Sequence, residues 1–206
     1  MPLDRIVAAA VAIVDVQGAD ALSMRTLAQE LNSGTATLYR HFESRAQLVA
    51  AVVDAVLGDI DIDIAAMHTL NWRHASETTA RAMFDVLSQH PNVAPLLADQ
   101  IPVGPNATAG RELAIAALLR GGFAPDVAAR AYATLARFVL GFAIQAGESS
   151  TDDGQEQTAA LNPQAYPATA AVAGHLPVPL ADEFTFGLEL ILDGLSNLLA
   201  DVAPPR

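Results

Sequence analysis

Residues 23–42, SMRTLAQELNSGTATLYRHF, decide the fold, because two short helical patterns flank three turn residues there. In the first pattern Leu27, Ala28 and Leu31 lie at i, i+1 and i+4, which places them on one face of a helix. Ser23 precedes this helix, where its hydroxyl can accept an otherwise unpaired backbone N–H. We therefore expect a short helix that begins after Ser23 and buries one face.

A turn and a second short helix are expected to follow. Asn32 and Gly34 both tolerate positive φ, so the chain can turn sharply between the two patterns. Leu38 and Phe42 are four residues apart and are expected to point inward. The residues left facing outward are mostly polar: Thr35, Thr37, Tyr39, Arg40 and His41. This is a helix-turn-helix outline, and its hydroxyl, guanidinium and imidazole groups suit a DNA groove walled by phosphates.

The outline alone also fits a plain helical hairpin in a protein core. The particular residues favour the DNA-binding interpretation, since the run from Leu22 through Thr37-Leu38-Tyr39-Arg40-His41-Phe42 to Ser44-Arg45-x-x-Leu48 resembles a known domain. It is similar to the N-terminal domain of the TetR family of transcriptional repressors. The resemblance covers roughly residues 3–57.

The resemblance implies roles for individual residues. Arg25 would contact a guanine edge, and base edges would also be met by Thr35, Ala36 and Arg40. Phosphate contacts would come from Thr37, Tyr39 and His41, with Arg45 adding charge at the start of the next helix. The expected DNA-binding set is Arg25, Thr26, Thr35, Ala36, Thr37, Leu38, Tyr39, Arg40, His41 and Arg45.

Two residues of the turn depart from the pattern of the family. Ser33 stands where the family usually has an aliphatic side chain, which should loosen the packing of the turn. Gly34 stands where a capping side chain is common, so we expect a less firmly capped second helix.

Composition suits a mostly helical protein, and the resemblance implies an all-α fold. The chain has 206 residues, of which 52% are hydrophobic and 5% aromatic, with no cysteine and no lysine. A disulfide and a thiolate metal site are thereby excluded. We expect no membrane-spanning segment, no signal peptide and a cytoplasmic location.

Net charge is distributed unevenly along the chain. Residues 1–57 carry four Arg and six Asp or Glu, which gives a net charge of −2. Residues 58–206 carry seven Arg and seventeen Asp or Glu, which gives a net charge of −10. The segment from Ser23 to Val49 is locally positive. With so few cations to neutralise phosphates, we expect modest non-specific DNA affinity and a reliance on paired half-sites.

Two domains are expected: residues 1–57 for DNA binding, with the helix-turn-helix at 23–42, and residues 58–206 for ligand binding and dimerisation. The total is about nine to ten helices. Helices are expected at residues 3–17, 71–89, 92–99, 107–119, 123–146 and 180–202, besides the pair at 23–42 and one capped by Ser44. The alternating acidic and aliphatic run at 59–64 is interpreted as a linker or a frayed helix end, and 148–179 as a long loop with one short helix near 166–175.

The second domain resembles the C-terminal domain of the tetracycline-repressor branch, in Gly122-Phe123, in Phe138-x-Leu140-Gly141 and in Gly187-Leu188-Glu189-x-Ile191-x-x-Gly194. The resemblance implies an enclosed effector site, for which the candidate residues are Trp72, Phe84, Leu87, His90, Phe138, Phe142 and Gln145. Any one of these residues could instead be an ordinary core residue. The acidic metal ligand of tetracycline repressors aligns near Gln145, a neutral amide. We therefore expect a mostly apolar effector, no cofactor and no obligatory metal.

The motifs of common enzyme classes are missing from the sequence, including glycine-rich phosphate loops, nucleophile elbows and zinc-binding helices. A homodimer is expected, because two-fold symmetry matches a palindromic operator in double-stranded DNA. Helices 123–146 and 180–202 would form its four-helix interface. Two other interpretations stay open: a helical carrier or enzyme with a vestigial DNA-binding head, and a protein-interaction module that does not bind DNA.

Overall fold

The computed structural model describes residues 1–98, 101–147 and 162–202, and within them it contains eleven α-helices, two short 3-10 helices and no strand. In chain order the α-helices are α1 (Leu3–Gln17), α2 (Met24–Glu30), α3 (Thr35–Leu38), α4 (Arg45–Gly58), α5 (Ile64–Thr69), α6 (Trp72–Gln89), α7 (Ala94–Ala98), α8 (Pro105–Arg120), α9 (Pro125–Gly147), α10 (Pro167–Val172) and α11 (Leu180–Val202). The 3-10 helices are Ala19–Ala21 and Ala173–His175. The expected all-α class is confirmed.

The four N-terminal helices form a small head around α1 and α4. Ile6, Leu27, Leu38 and Leu48 are completely buried there, one from each helix. The core of the head continues into the second half of the chain, where it includes Leu87 of α6 and residues of α7 and α9. The head therefore shares one hydrophobic core with some of the helices α5–α11, which together are here called the body.

The body is built on α6 and α9, against which α8 and α11 pack. The two central helices run in the same direction, since Trp72 meets Phe123 at their starts and Pro91 lies against Gly147 at their ends. Its core contains Phe123, Leu135, Phe184 and Leu188, all buried. A third, smaller cluster forms where Met67 of α5 packs on Ala75 and Ala117. Helix α5 thus covers an end of the body that α6 and α8 would otherwise leave open.

A buried carboxylate joins the head to the body. Asp54 of α4 is only 8% exposed, and its Oδ1 accepts the backbone N–H of Ala107 at 2.9 Å. The Asn106 amide donates to the Asp54 carbonyl oxygen at 3.0 Å and to Oδ2 at 3.3 Å. A Cβ at Gly104 would overlap the Asp54 side chain. Asp54 therefore satisfies N-terminal donors of α8 that the helix itself leaves unpaired.

A second polar contact joins the same two parts. His90, at the C-terminal end of α6, lies with Nδ1 2.9 Å from Oδ2 of Asp15 in α1. The side chain of Asn92 donates to the Asp15 carbonyl oxygen at 2.9 Å. Helix α1 is therefore tied to the end of α6 in the same way that α4 is tied to the start of α8.

Several expectations need correction. Residues 59–63 form a linker, as expected, but Asp63 caps a short helix, α5, that the alternating pattern did not reveal. Helix α8 begins at Pro105, two residues early, because proline suits the first helical turn. Of the two turn residues expected to allow positive φ, Asn32 adopts it, at 49°, whereas Gly34 has φ −83°. Helices α9 and α11 approach closely at Gly187, where a Cβ would lie 2.8 Å from the Phe138 ring.

Other boundaries agree with the sequence. Helices α1 and α11 have the expected limits, and α6, α7 and α9 differ from them by one or two residues. The short helix expected near 166–175 is present as α10 and the 3-10 turn that follows it. The remainder of the expected long loop, from 148 to 161, lies outside the described residues.

Removal of the Asp54 carboxylate should destabilise the whole fold. Asp54→Ala would leave the Ala107 N–H buried without an acceptor, so we expect the free energy of unfolding in urea to fall by about 1–3 kcal/mol. Asp61→Ala, in the exposed linker, is the matched control and should stay within about 0.5 kcal/mol of the wild type. Equal effects of the two substitutions would contradict the role given to Asp54.

Candidate nucleic-acid interface and effector site

Helix α2 begins at a reciprocal cap. The Thr26 backbone N–H donates to the Ser23 hydroxyl at 3.1 Å, and the Ser23 backbone N–H donates to the Thr26 hydroxyl at 2.9 Å. The Thr26 hydroxyl also donates to the Ala21 carbonyl at 2.7 Å. The cap was expected at Ser23, but the contribution of Thr26 was not. Because Thr26 is occupied in this way, its side chain supports α2 instead of facing a ligand.

The turn between α2 and α3 is fixed by its backbone. Asn32 adopts the left-handed region, and the Ser33 N–H donates to the Ala28 carbonyl at 2.8 Å. Gly34 is the N-cap of α3 and offers no side-chain cap, as expected from the departure noted at this residue. Helix α3 has only four residues, so Leu38 and Phe42, both buried, provide its main attachment to the head.

The outer surface of α3 and of the turn after it is exposed. Its side chains are Thr35, Ala36, Tyr39, Arg40 and His41, with Thr37 half-buried. Tyr39 is 56% exposed although its ring is large and apolar. The Arg40 guanidinium donates to the Thr37 hydroxyl at 3.3 Å. Arg25 of α2 is also exposed, so the structure brings two exposed guanidinium groups to the helix-turn-helix.

Leu38 must be removed from the expected DNA-binding set. Its side chain is completely buried and lies in the core of the head. The resemblance assigned DNA contacts to every residue from 35 to 41. The helical period, however, turns about every fourth side chain inward.

Arg45 also behaves differently from the expectation. Its Nε donates to the Leu22 carbonyl and its Nη2 to the Ala19 carbonyl, each at 2.8 Å. These carbonyls lie in the segment that leads into α2, so the guanidinium holds this segment against the start of α4. A planar group with several fixed donors suits two carbonyls at once. Arg45 thus positions α2, a role that sequence spacing does not reveal.

Three of the candidate effector residues meet in the body. The ring of Phe84 stacks on the ring of Phe184, with centroids 4.2 Å apart. The Phe184 ring is also contacted by Phe138 and Phe142, at centroid distances of 5.4 and 5.6 Å. Phe184 was missing from the expected set, because on sequence it is one of several apolar residues of α11. Its spacing from Leu188 and Leu192 indicated a core position but not its ring partners.

The other four candidates lie apart from this cluster. Trp72 meets the edge of Phe123, with centroids 4.9 Å apart. Leu87 is completely buried in the core that the head and body share. His90 pairs with Asp15, and Gln145 is exposed, its amide 3.4 Å from the Gly141 carbonyl oxygen.

Two clefts among the described residues lie away from this ring cluster. One, lined by Ala50, Val53, Leu96 and residues 101–103, has a volume of about 20 Å³, room for little more than a water molecule. An open groove is lined by residues 176–178 together with Asp182, Glu183 and Phe186. The described residues contain no cluster of three His, Asp or Glu side chains arranged to hold a metal ion.

Helix α9 is long and apolar enough to cross a membrane by length and composition alone, with a mean hydropathy of 1.4 over 18 residues. Core helices of soluble proteins satisfy the same criterion. In this chain Leu135 and Val139 of the helix are buried, whereas Phe138, Leu140 and Phe142 are half-buried.

A short recognition helix exposed on a helical head that is continuous with a larger helical body defines a helix-turn-helix regulator. Comparison with known proteins agrees. Residues 6–52 match the family of bacterial regulatory proteins named tetR, and residues 67–199 match the tetracyclin repressor-like C-terminal domain. The chain belongs to the TetR family, and it is a ligand-responsive, DNA-binding transcriptional repressor.

Individual relatives resemble the chain over most of its length. A transcriptional repressor, DrrR1, from Streptomyces coeruleorubidus is 29% identical over 97% of this chain and 79% of its own. The structure of apo ActR from Streptomyces coelicolor is 30% identical, covers 98% of each chain and has a TM-score of 0.89. ActR is also known in complex with actinorhodin, at 31% identity, a TM-score of 0.83, and coverage of 96% of this chain and 98% of that one.

Arg45→Ala and Arg40→Ala should both weaken DNA binding, but only Arg45→Ala should destabilise the fold. Arg45→Ala removes both carbonyl contacts, so we expect the free energy of unfolding to fall by about 1 kcal/mol and DNA binding to weaken with it. Arg40→Ala should weaken DNA binding and leave the unfolding free energy within about 0.5 kcal/mol. Chemical denaturation and gel shift on the same samples measure both, and a stable Arg45→Ala variant would contradict the positioning role.

Proposed function

We propose that the protein represses transcription as a homodimer bound to a palindromic operator and leaves it when a small, mostly apolar effector binds. The observation that supports this function best is the division of α3 between its two faces. Leu38 and Phe42 hold the helix in the head, while Ala36, Tyr39 and Arg40 face solvent. Exposure of a tyrosine and an arginine on a firmly anchored short helix suits entry into the major groove.

The exposed groups divide by chemistry into base and phosphate contacts. Arg25 and Arg40 can each form two hydrogen bonds to a guanine edge, and the Ala36 methyl suits a thymine methyl group. Hydroxyl and imidazole groups of Thr35, Thr37, Tyr39 and His41 suit phosphate oxygens. Because the Arg45 guanidinium already contacts two carbonyls, few cations are left to neutralise phosphates. We therefore propose that operator binding depends only weakly on salt.

An apolar stripe on α11 supports the dimer. Phe186, Leu190 and Leu198 are 64%, 56% and 51% exposed and follow one another at helical spacing with Gly194, at which a Cβ would meet nothing within 4 Å. The adjacent helix α9 is apolar, and its side chains Phe138, Leu140 and Ile144 are only half-buried within one chain. Large apolar side chains in a continuous exposed row mark a surface that binds another protein. A second copy would bury it by packing α9 and α11 against their symmetry mates.

The effector is proposed to bind in the body, with the phenylalanine cluster as its apolar wall. ActR, bound to actinorhodin or to (S)-DNPA, supplies a precedent for a ligand in this fold. The response would pass through Asp54 and His90, since these residues connect the body to α4 and α1 of the head. An effector can release DNA only by binding one arrangement of the heads more tightly than another.

We assign regulation in the cytoplasm rather than enzymatic turnover, because the relatives are transcriptional regulators. The alternative, a helical carrier or enzyme with a vestigial head, predicts no selective binding to the DNA that flanks the gene. Titration against that DNA separates the two functions.

Arg25→Ala tests the base-reading role. We expect it to weaken operator binding by about 1–3 kcal/mol and to relax selectivity at one base pair of each half-site, because a guanine contact is lost. Gel shift with the operator and with single-base variants measures both effects. Arg120→Ala removes an equal charge from the body and should leave affinity and selectivity unchanged. Unaltered selectivity in Arg25→Ala would refute the role.

Leu190→Arg tests the dimer. A charge in the middle of the proposed interface would be buried without a partner, so the variant should run as a monomer at micromolar concentration and lose operator binding. Leu119→Arg, on the exposed side of α8, is the control and should stay dimeric. Analytical ultracentrifugation gives the oligomeric state, and a dimeric Leu190→Arg variant would place the interface elsewhere.

A further inference from the structure

Among the described residues, the Phe184 ring contacts the rings of Phe84, Phe138 and Phe142. It is 2% exposed, and its plane lies 13° from that of Phe84 and 25° from that of Phe138. The Phe142 ring meets it edge-on, at 74°. Two nearly parallel rings and one perpendicular ring thus form an aromatic slot, which is here defined by Phe84, Phe138 and Phe142 and filled by Phe184.

The chemistry of the slot selects for flat rings. Offset stacking and edge contacts between aromatic rings contribute attraction beyond that of apolar burial, and they depend on the planarity of the occupant. The three walls provide ring faces and edges and no hydrogen-bond donor or acceptor. An occupant would therefore be recognised by its aromatic character, and polar substituents would have to lie outside the slot.

Phe184 is also the fully buried residue closest to the start of α11. The residues before it in the helix are exposed or half-buried, whereas Leu188, Leu192 and Leu195 anchor the helix further along. Withdrawal of the Phe184 ring therefore requires movement of the first helical turn and leaves the other anchors in place. The same turn leads directly into the exposed stripe that begins at Phe186.

We propose that the slot is the binding site for a planar aromatic effector and that Phe184 fills it in the free protein. The effector would displace the Phe184 ring and form equivalent stacking contacts with Phe84 and Phe138. This inference rests on the proposed effector response and names the ligand class. Because Phe184 and the apolar stripe share α11, displacement of the ring would move the start of the helix, next to Phe186, where the proposed dimer interface begins.

The test compares a flat molecule with its saturated counterpart. Calorimetry on the full-length dimer would use 2-naphthol and decahydro-2-naphthol, which share a carbon skeleton and a hydroxyl. We expect the wild type to prefer 2-naphthol at least tenfold, and Phe184→Ala to bind 2-naphthol at least tenfold more tightly than the wild type. A crystal structure of the wild-type complex should place the naphthol rings in the slot and the Phe184 ring outside it.

Controls separate ring displacement from the filling of a new cavity. Leu192→Ala opens space in the same core, two turns along α11, and should leave the preference for 2-naphthol unchanged. Should Phe184→Ala fail to fold, Phe184→Leu keeps apolar volume without a ring and should still bind 2-naphthol at least threefold more tightly than the wild type.

Three results would overturn the proposal: naphthol bound while Phe184 stays stacked, binding to the variants but not to the wild type, and no gain of affinity in either Phe184 variant. Operator binding by the ligand-free wild type and Phe184→Ala is measured in parallel. Retained DNA binding together with any of these results would reject the aromatic slot and leave the proposed repressor function intact.

Discussion

The hydrogen bond between the Asp54 carboxylate and the start of α8 is the constraint on which the arrangement of the molecule depends. A carboxylate buried in an apolar helix is unfavourable unless donors satisfy it. Here the donors come from Ala107 and Asn106, more than fifty residues away. Gly104 supplies the space, since any side chain there would collide with the carboxylate. The unpaired donors of α8 and the buried charge of α4 thus satisfy each other, and the two helices are fixed in relative position.

The head is consequently not an independent module on a flexible tether. It shares its apolar core with α6, α7 and α9, and Asp15 adds a second polar connection to the end of α6. A rearrangement in the body cannot leave α1 and α4 unaffected, because each is bonded to the end of a body helix. Packed interiors respond to a disturbance by switching between discrete arrangements more readily than by continuous deformation. Such a connection suits a protein that must convert occupancy of one domain into reorientation of the other.

The sequence predicted the head well because its signals are local. Ser23, the spacing of Leu27 from Leu31 and the spacing of Leu38 from Phe42 lie within one or two helical turns, and the structure follows them. Contacts between distant residues gave no such signal. Asp54 resembles a polar interruption of an apolar helix, and Arg45 resembles one more charge for phosphate. Their partners are set by tertiary packing, which a periodic pattern does not encode.

In the body, too, contacts between distant residues could not be predicted from the sequence. Helix boundaries were predictable from proline, glycine and apolar spacing, but the meeting of four phenylalanines from three helices was not. Phe84, Phe138 and Phe142 were selected as lining residues for their type, whereas Phe184, which joins them, was assigned only to an apolar face. Helix α5 was missed because an alternating acidic run hid the capping residue Asp63.

The division of α3 into an anchoring face and a free face has an evolutionary consequence. Four exposed side chains contribute little to the stability of the fold: Thr35, Ala36, Tyr39 and Arg40. The head is held together instead by Leu38, Phe42 and the Arg45 contacts. Substitutions at the four positions can accumulate after gene duplication without a penalty in folding. Descendants of this repressor could therefore acquire new target sites while retaining the same scaffold and the same inducer.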